Sequence, residues 1–272
     1  GPTSLLIGVY SKLPFFNFTH IATTSDNIEM LKNVTWYRRL FRSIVLSTAK
    51  GIVLYTKEVG YWYNAQFPKL ITRICPNIQN PLSTSLSKRE YSTIIKSFVD
   101  NYNLTKKKNI LFVGRLHESK GLNILFEMLK AINSHDFSLI LVGEGPEYNN
   151  LKELSIKMGI QDLLIFTGRY EGAKLISWYK LADFLILPSI FEPFGAVVNE
   201  ALINGCPVLC SKYCGAKIYI EDGENGFVFD PYNKEEYLDS LTNMLLESKG
   251  IKENKNLMNY SFKDSVSQYH FT

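Results

Sequence analysis

Only four of the 272 residues are cysteine, and they form no metal-ligand pattern. Cys206, Cys210 and Cys214 recur every fourth residue, but Pro207 and the apolar pair Val208-Leu209 argue against a helix there, and no nearby histidine completes a zinc set. The spacing predicts buried free thiols in a reducing compartment. No apolar run reaches the ~20 residues of a membrane-spanning helix, and Gly1-Pro2-Thr3 does not open a signal peptide. A cytoplasmic protein is expected, with the inner face of the cell membrane as a further location. Charge of one sign is scarce too. Thirty Lys and Arg against 26 Asp and Glu leave a net +4, too small an excess to imply nucleic acid, which needs a concentrated basic face. Asp-x-Asp pairs are absent altogether. A metal that holds a diphosphate usually needs such carboxylates, so no metal is expected.

What is present belongs to a folded chain: 46% hydrophobic and 21% charged residues are enough for one large core or two smaller ones. The basic residues are unevenly placed. Trp36-Tyr37-Arg38-Arg39-Leu40-Phe41-Arg42 mixes aromatic and cationic side chains at the start of a predicted helix, and Lys106-Lys107-Lys108 precedes a predicted strand. A solvated face and peripheral contact with an anionic membrane are both open readings.

From residue 109 the pattern becomes regular. Short apolar runs at 109–113, 138–142, 164–166, 184–187 and 208–209 alternate with helix-like segments at 122–132, 148–158, 175–181 and 196–203. The runs are apolar throughout, as strands covered on both faces are. This alternation predicts an α/β fold: a Rossmann-like, doubly wound parallel sheet. The earlier region is less regular, with strands predicted at 4–10, 51–55 and 71–75 and a helix at 34–49. Residues 79–85 read as a linker. The expected organisation is a partial N-terminal, acceptor-side α/β domain over 1–77 and a nucleotide-sugar-binding domain over 78–245. Segment 246–272 is expected to pack back on the first domain.

Ligands of such sheets bind beyond the carboxyl ends of the strands. Four loops leave strands there. Gly114-Arg115-Leu116-His117-Glu118-Ser119-Lys120-Gly121 offers glycines for close backbone approach and two cations, Arg115 and Lys120, for a diphosphate. Gly143-Glu144-Gly145-Pro146 offers a tight turn for a nucleoside base, though a bare strand-to-helix turn explains it equally well. Phe166-Thr167-Gly168-Arg169 is a further candidate wall. The loop from Pro188 to Gly195 then opens a helix whose first amides, at Phe194, Gly195 and Ala196, would seat a phosphate or a sugar hydroxyl. Glu192 precedes that helix and Glu200 lies inside it, too far in to serve the helix dipole. Binding a ribose diol through both carboxylate oxygens would explain Glu200; a surface glutamate is the bland alternative.

Together these passages carry a specific resemblance, along with Cys75-Pro76-Asn77, Leu187-Pro188-Ser189, Glu192-Pro193-Phe194-Gly195 with Glu200-Ala201, Gly205-Cys206-Pro207-Val208 and Asp222-Gly223-Glu224-Asn225-Gly226. The chain resembles the group 1, or GT4-type, family of retaining glycosyltransferases with the two-domain GT-B fold. The resemblance implies that Arg115 and Lys120 hold the donor diphosphate, Glu200 the ribose, and Glu192 the hydroxyls of the sugar, helped by the amides of Phe194 and Gly195. It implies a UDP- or GDP-sugar as donor, no tightly bound cofactor, transfer of a hexosyl-type group with retention, and a saccharide or lipid-linked acceptor in surface polysaccharide or glycolipid synthesis. Two departures stand out. Cys214-Gly215-Ala216-Lys217-Ile218 lacks the glutamate relatives often carry, and His20 matches the family's N-domain histidine poorly. A GT-B-fold nucleotide-sugar 2-epimerase, which would draw on His117, and an inactive nucleotide-sugar-binding domain are the alternatives.

Overall fold

A computed structural model describes residues 20–24, 26, 28–32, 34–75, 86–104, 108–132, 136–247 and 256–259. The predicted strand at 4–10, the linker at 79–85 and most of segment 246–272 lie outside them. The described residues fall into two compact units, one between 20 and 75 and one between 86 and 259.

The first unit has a parallel three-stranded sheet, β1 (Ile21–Thr23), β2 (Gly51–Leu54) and β3 (Ile71–Ile74), in that order. Its helices are α1 (Ile28–Lys32), α2 (Trp36–Ser47) and α3 (Lys57–Gln66). Central β2 is buried along its length, and Leu31, Leu46, Ile52, Leu54, Val59 and Tyr63 form the core. Beside it, Asp26 accepts a hydrogen bond from Tyr63 Oη at 2.6 Å and pairs with Arg42 at 3.0 Å. Burial, then the bond to Asp26, pushes the Tyr63 phenol up. Arg42 thus faces inward, while Trp36, Tyr37, Leu40 and Ile44 stay exposed.

The second unit opens with α4 (Lys88–Tyr102), closed at its start by a capping box between Ser87 and Glu90. Then strands and helices alternate: β4 (Lys108–Val113), α5 (Leu122–Ala131), β5 (Phe137–Val142), α6 (Tyr148–Met158), β6 (Leu164–Gly168), α7 (Gly172–Leu181), β7 (Phe184–Leu187), α8 (Ala196–Ile203), β8 (Val208–Ser211), β9 (Gly226–Phe229) and α9 (Lys234–Glu247). All strand pairings are parallel, and the sheet order is β6-β5-β4-β7-β8-β9. This is a doubly wound α/β sheet whose order reverses between β4 and β7. Ile110, Leu111 and Phe112 of β4, all of β5 and all of β7 are buried, as a sheet covered on both faces requires. Helix α7 starts three residues before its predicted position, at Gly172, after the extended Glu171.

An aromatic group ties α4 to α7. Phe98 stacks on the fully buried Trp178 at 4.1 Å, and Tyr102 shares a 2.9 Å hydroxyl contact with Tyr170. Burial and that contact push the Tyr102 phenol up to about 12. Cys75, Cys206, Cys210 and Cys214 are free and buried.

Candidate functional site

The carboxyl ends of the second unit's strands are held by backbone bonds running from loop to loop in sheet order. Gly143 N donates to Gly168 O at 2.9 Å, joining the β5 and β6 ends. Leu116 N donates to Glu144 O at 2.9 Å and Glu147 N to Leu116 O at 3.1 Å, joining the β4 and β5 loops. The amides of Ile190 and Phe191 donate to Ser119 O at 3.0 and 3.2 Å, joining the β4 and β7 loops. Gly215 N and Ala216 N donate to Glu192 O and Phe194 O at 3.3 and 2.7 Å, joining the β7 and β8 loops.

The glycines are explained by this bracing. A Cβ on Gly143 would stand 1.8 Å from Gly114 O, and one on Gly145 2.2 Å from Leu116 O. Both residues permit loop-on-loop contact, as the strand-to-helix-turn reading expects, and that contact leaves the nucleoside-base reading open. They do line the cleft, so the two demands coincide. Gly195, at φ +89°, caps α8; a Cβ there would meet Cys214 Sγ at 2.6 Å.

Above the braces lies a cleft of about 670 Å³, within the range of small-molecule sites. Of the candidate residues, Gly114, Arg115, Gly143, Gly145 and Glu200 line it. Its remaining lining includes Glu144, Arg169, Tyr170 and Glu171, with apolar walls from Val113, Val142, Leu175 and Val197. Exposed Arg115 brings positive charge to the rim. Glu200 reaches it from the second turn of α8, and Tyr179 Oη on α7 donates to Glu200 Oε2 at 2.8 Å. Burial, then the adjacent Glu200 carboxylate, raises the Tyr179 phenol well above its ordinary value. One of the carboxylate's roughly four acceptor positions is therefore already engaged by protein.

Lys120 and Glu192 do not line this cleft. They form an ion pair with each other, with side chains only 17% and 14% exposed. The geometry follows from the fold at Gly121, whose φ of +65° lets the β4 loop press on Pro188 O, where a Cβ would stand at 2.4 Å. Lys120 Cε lies 3.7 Å from where a Gly114 Cβ would stand, so the pair borders the cleft. Phe194 is buried, edge-on to Tyr219 at 6.4 Å, and its carbonyl also accepts from Cys214 Sγ at 2.9 Å. Neither Phe194 nor Gly195 is among the residues that line the cleft. Cys214 and the amides of Gly215 and Ala216 hold the loop in which the usual glutamate is missing.

The histidines act locally. His117 caps the turn Glu118–Lys120, with Nδ1 accepting from Ser119 N at 3.2 Å. His20, 8% exposed in the first unit, has Nδ1 3.3 Å from Thr48 Oγ1. Among the described residues no group of three or more His, Cys, Asp or Glu is placed to hold a metal ion. Sequence reasoning missed Tyr179, Glu171 and Leu175; only the packing of α7 against α8 brings them to the site.

Residues 95–264 match the family model for glycosyl transferases group 1. The chain belongs to this family. One relative, an uncharacterized glycosyltransferase of Methanocaldococcus jannaschii, is 33% identical over 164 residues, covering 60% of this chain and 41% of the relative. A GDP-mannose-dependent alpha-mannosyltransferase of Corynebacterium glutamicum is 32% identical over 148 residues, covering 54% and 33%. The chain therefore spans less than half the length of these relatives. Among solved structures, the Anabaena HepE protein in complex with UDP aligns with a TM-score of 0.77 at 17% identity, over 98% of this chain and 72% of that one. That likeness establishes the fold.

Proposed function

We propose that the second unit binds the donor of a retaining glycosyltransferase, which moves a hexosyl group from a UDP- or GDP-sugar to a saccharide or lipid-linked acceptor in surface polysaccharide or glycolipid synthesis. The observation that carries this is the convergence of Arg115, Gly143, Gly145 and Glu200 on one cleft at the point where the strand order reverses, bordered by Lys120 and Glu192. The first unit is the acceptor side; of segment 246–272, residues 256–259 belong instead to the second unit, where Leu257 N donates to Leu202 O at 2.8 Å. HepE was solved with UDP, and the Corynebacterium relative is named for GDP-mannose, so both nucleotides stand as donors.

In this reading the diphosphate lies against Arg115 and the start of α8, and Lys120 leaves Glu192 for a phosphate oxygen as the donor binds. Glu192 and the amides of Phe194 and Gly195 then take the sugar hydroxyls. Charge developing on the departing diphosphate is met by two cations and by helix-end amides rather than by a metal. The reaction runs on the front face, with a diphosphate oxygen taking the acceptor proton. The epimerase alternative draws no support from His117, which is not among the residues that line the cleft.

Membrane contact has its own observation. Helix α2 carries Trp36, Leu40 and Ile44 at four-residue spacing, exposed at 76%, 55% and 45%, beside exposed Arg38 and Arg39 and with no acidic residue. This face suits peripheral binding to anionic lipid at the inner side of the cell membrane. No helix among the described residues is long and apolar enough to cross a membrane.

The test is transfer by the full-length enzyme with excess chelator. Activity should persist, and Arg115→Ala or Lys120→Ala should each lower turnover by about a hundredfold or more. Activity abolished by chelator and restored by magnesium or manganese would place the charge compensation elsewhere.

A further inference from the structure

Glu200 is held at both ends. Its carbonyl oxygen accepts from Asn204 Nδ2 at 2.8 Å and Asn204 N at 3.2 Å, which fixes the last turn of α8. Its carboxylate accepts from Tyr179 Oη, on a ring only 1% exposed. Tyr179 itself does not line the cleft, but its helix places Leu175 there, one turn earlier.

A glutamate on a helix has three rotatable bonds, and an ionised carboxylate only accepts hydrogen bonds. Its partner in the cleft must therefore donate, and a vicinal diol, with two hydroxyls on one side of a ring, is the matching chemistry. Two donors can be met at once only if the carboxylate plane is fixed. Tyr179 spends its one proton on Oε2, taking one of the carboxylate's roughly four acceptor positions.

We propose that Tyr179 is a positioning residue: its hydroxyl sets the plane of the Glu200 carboxylate and thereby the preference for ribonucleotides over nucleotides lacking the ribose hydroxyls. This rests on the reading that Glu200 meets the donor ribose. The phenol stays protonated across the working pH range, since burial and the neighbouring carboxylate both disfavour its anion, so the donor is permanent.

The experiment is calorimetric titration of wild type, Tyr179→Phe, Glu200→Gln and the double variant. The ligands are uridine and guanosine diphosphate and the 2′,3′-dideoxy form of each. Tyr179→Phe should weaken the ribonucleotide about tenfold, the scale of one hydrogen bond to a charged group. It should change dideoxynucleotide affinity by less than about twofold and add nothing in the Glu200→Gln background. Unchanged ribonucleotide affinity in Tyr179→Phe, with Glu200→Gln impaired, would overturn the positioning role alone. An equal loss on both ligand types would do the same, because it would mark Tyr179 as mere packing. Wild type that binds both ligand types equally, with Glu200→Gln unimpaired, would remove the ribose reading itself and this inference with it.

Discussion

Gly143→Ala tests whether the loops are braced as described. The new methyl carbon would lie 1.8 Å from Gly114 O and 2.9 Å from Gly114 C, both backbone atoms with no rotamer to yield. Carbon–oxygen contacts settle near 3.3 Å even when favourable, so the β4 and β5 loops must part by roughly an ångström or more. Parting them strains Gly114 N to Val142 O at 3.0 Å and Leu116 N to Glu144 O at 2.9 Å. Two backbone bonds at about 0.5–1.5 kcal/mol each and overpacking at about 1–3 kcal/mol total roughly 2–6 kcal/mol. Gly159→Ala is the control. Its φ is +72° with nothing within 4 Å of the added carbon, so it carries conformational strain alone, about 1–2 kcal/mol. Urea denaturation would compare the two, and a nucleoside diphosphate titration would show whether Arg115 has moved with its loop. If Gly143→Ala costs no more than Gly159→Ala, the bracing argument is wrong.

Trp178→Ala, which removes a fully buried ring stacked on Phe98, should cost about 3–5 kcal/mol in the same denaturation assay and loosen α4 from α7. Glu192→Gln removes the anion that pairs with Lys120; bare uridine or guanosine diphosphate should then bind roughly fivefold tighter by calorimetry, while transfer falls. Unchanged affinity would mean that Lys120 does not reach the diphosphate. Cys206 and Cys210 are buried and their thiols are pushed up, Cys206 by burial and Cys210 first by its hydrogen bond with Cys214. Folded protein holds these protons more tightly than the unfolded chain, so their contribution is full below the ordinary thiol value of 9.0 and is lost as pH rises above it. The melting temperature should fall through that range, and iodoacetamide should label neither thiol without denaturant.

The second unit was legible because its strands are short, wholly apolar and separated by amphipathic helices: the bounds of α6, β7 and α8 match their predicted ranges. Helix α4 was equally readable yet was not predicted. Ser87-Lys88-Arg89-Glu90 has capping-box spacing, and Tyr91, Ile94, Ile95 and Phe98 follow at helical intervals. Helix α9 and strand β9 were passed over as well, although Gly226-Phe227-Val228-Phe229 is an apolar run and Tyr237, Leu241 and Met244 recur at helical spacing. The charged site residues could be named from loop chemistry, but not their pairing. Lys120 and Glu192 are 72 residues apart, and Tyr179 and Glu200 are 21 apart. Only the fold makes them neighbours. Glycine patterns marked residues that line the cleft, but a residue type does not say whether a ligand or another loop is the close neighbour.

The loop-to-loop bonds from Gly168 through Gly143, Leu116, Ser119 and Glu192 to Ala216 bear on transplantation. A loop in many α/β proteins can be exchanged singly, because its two ends are anchored only to its own strand and helix. Here each loop is also a rung for the next, so grafting the Arg115 loop alone into another sheet would leave Leu116 and Ser119 without their counterparts. Recombination between relatives should succeed when crossover points fall in the outer helices and fail when they separate adjacent loops. The five loops form one heritable cassette, and insertions are best accommodated on the opposite rim of the sheet.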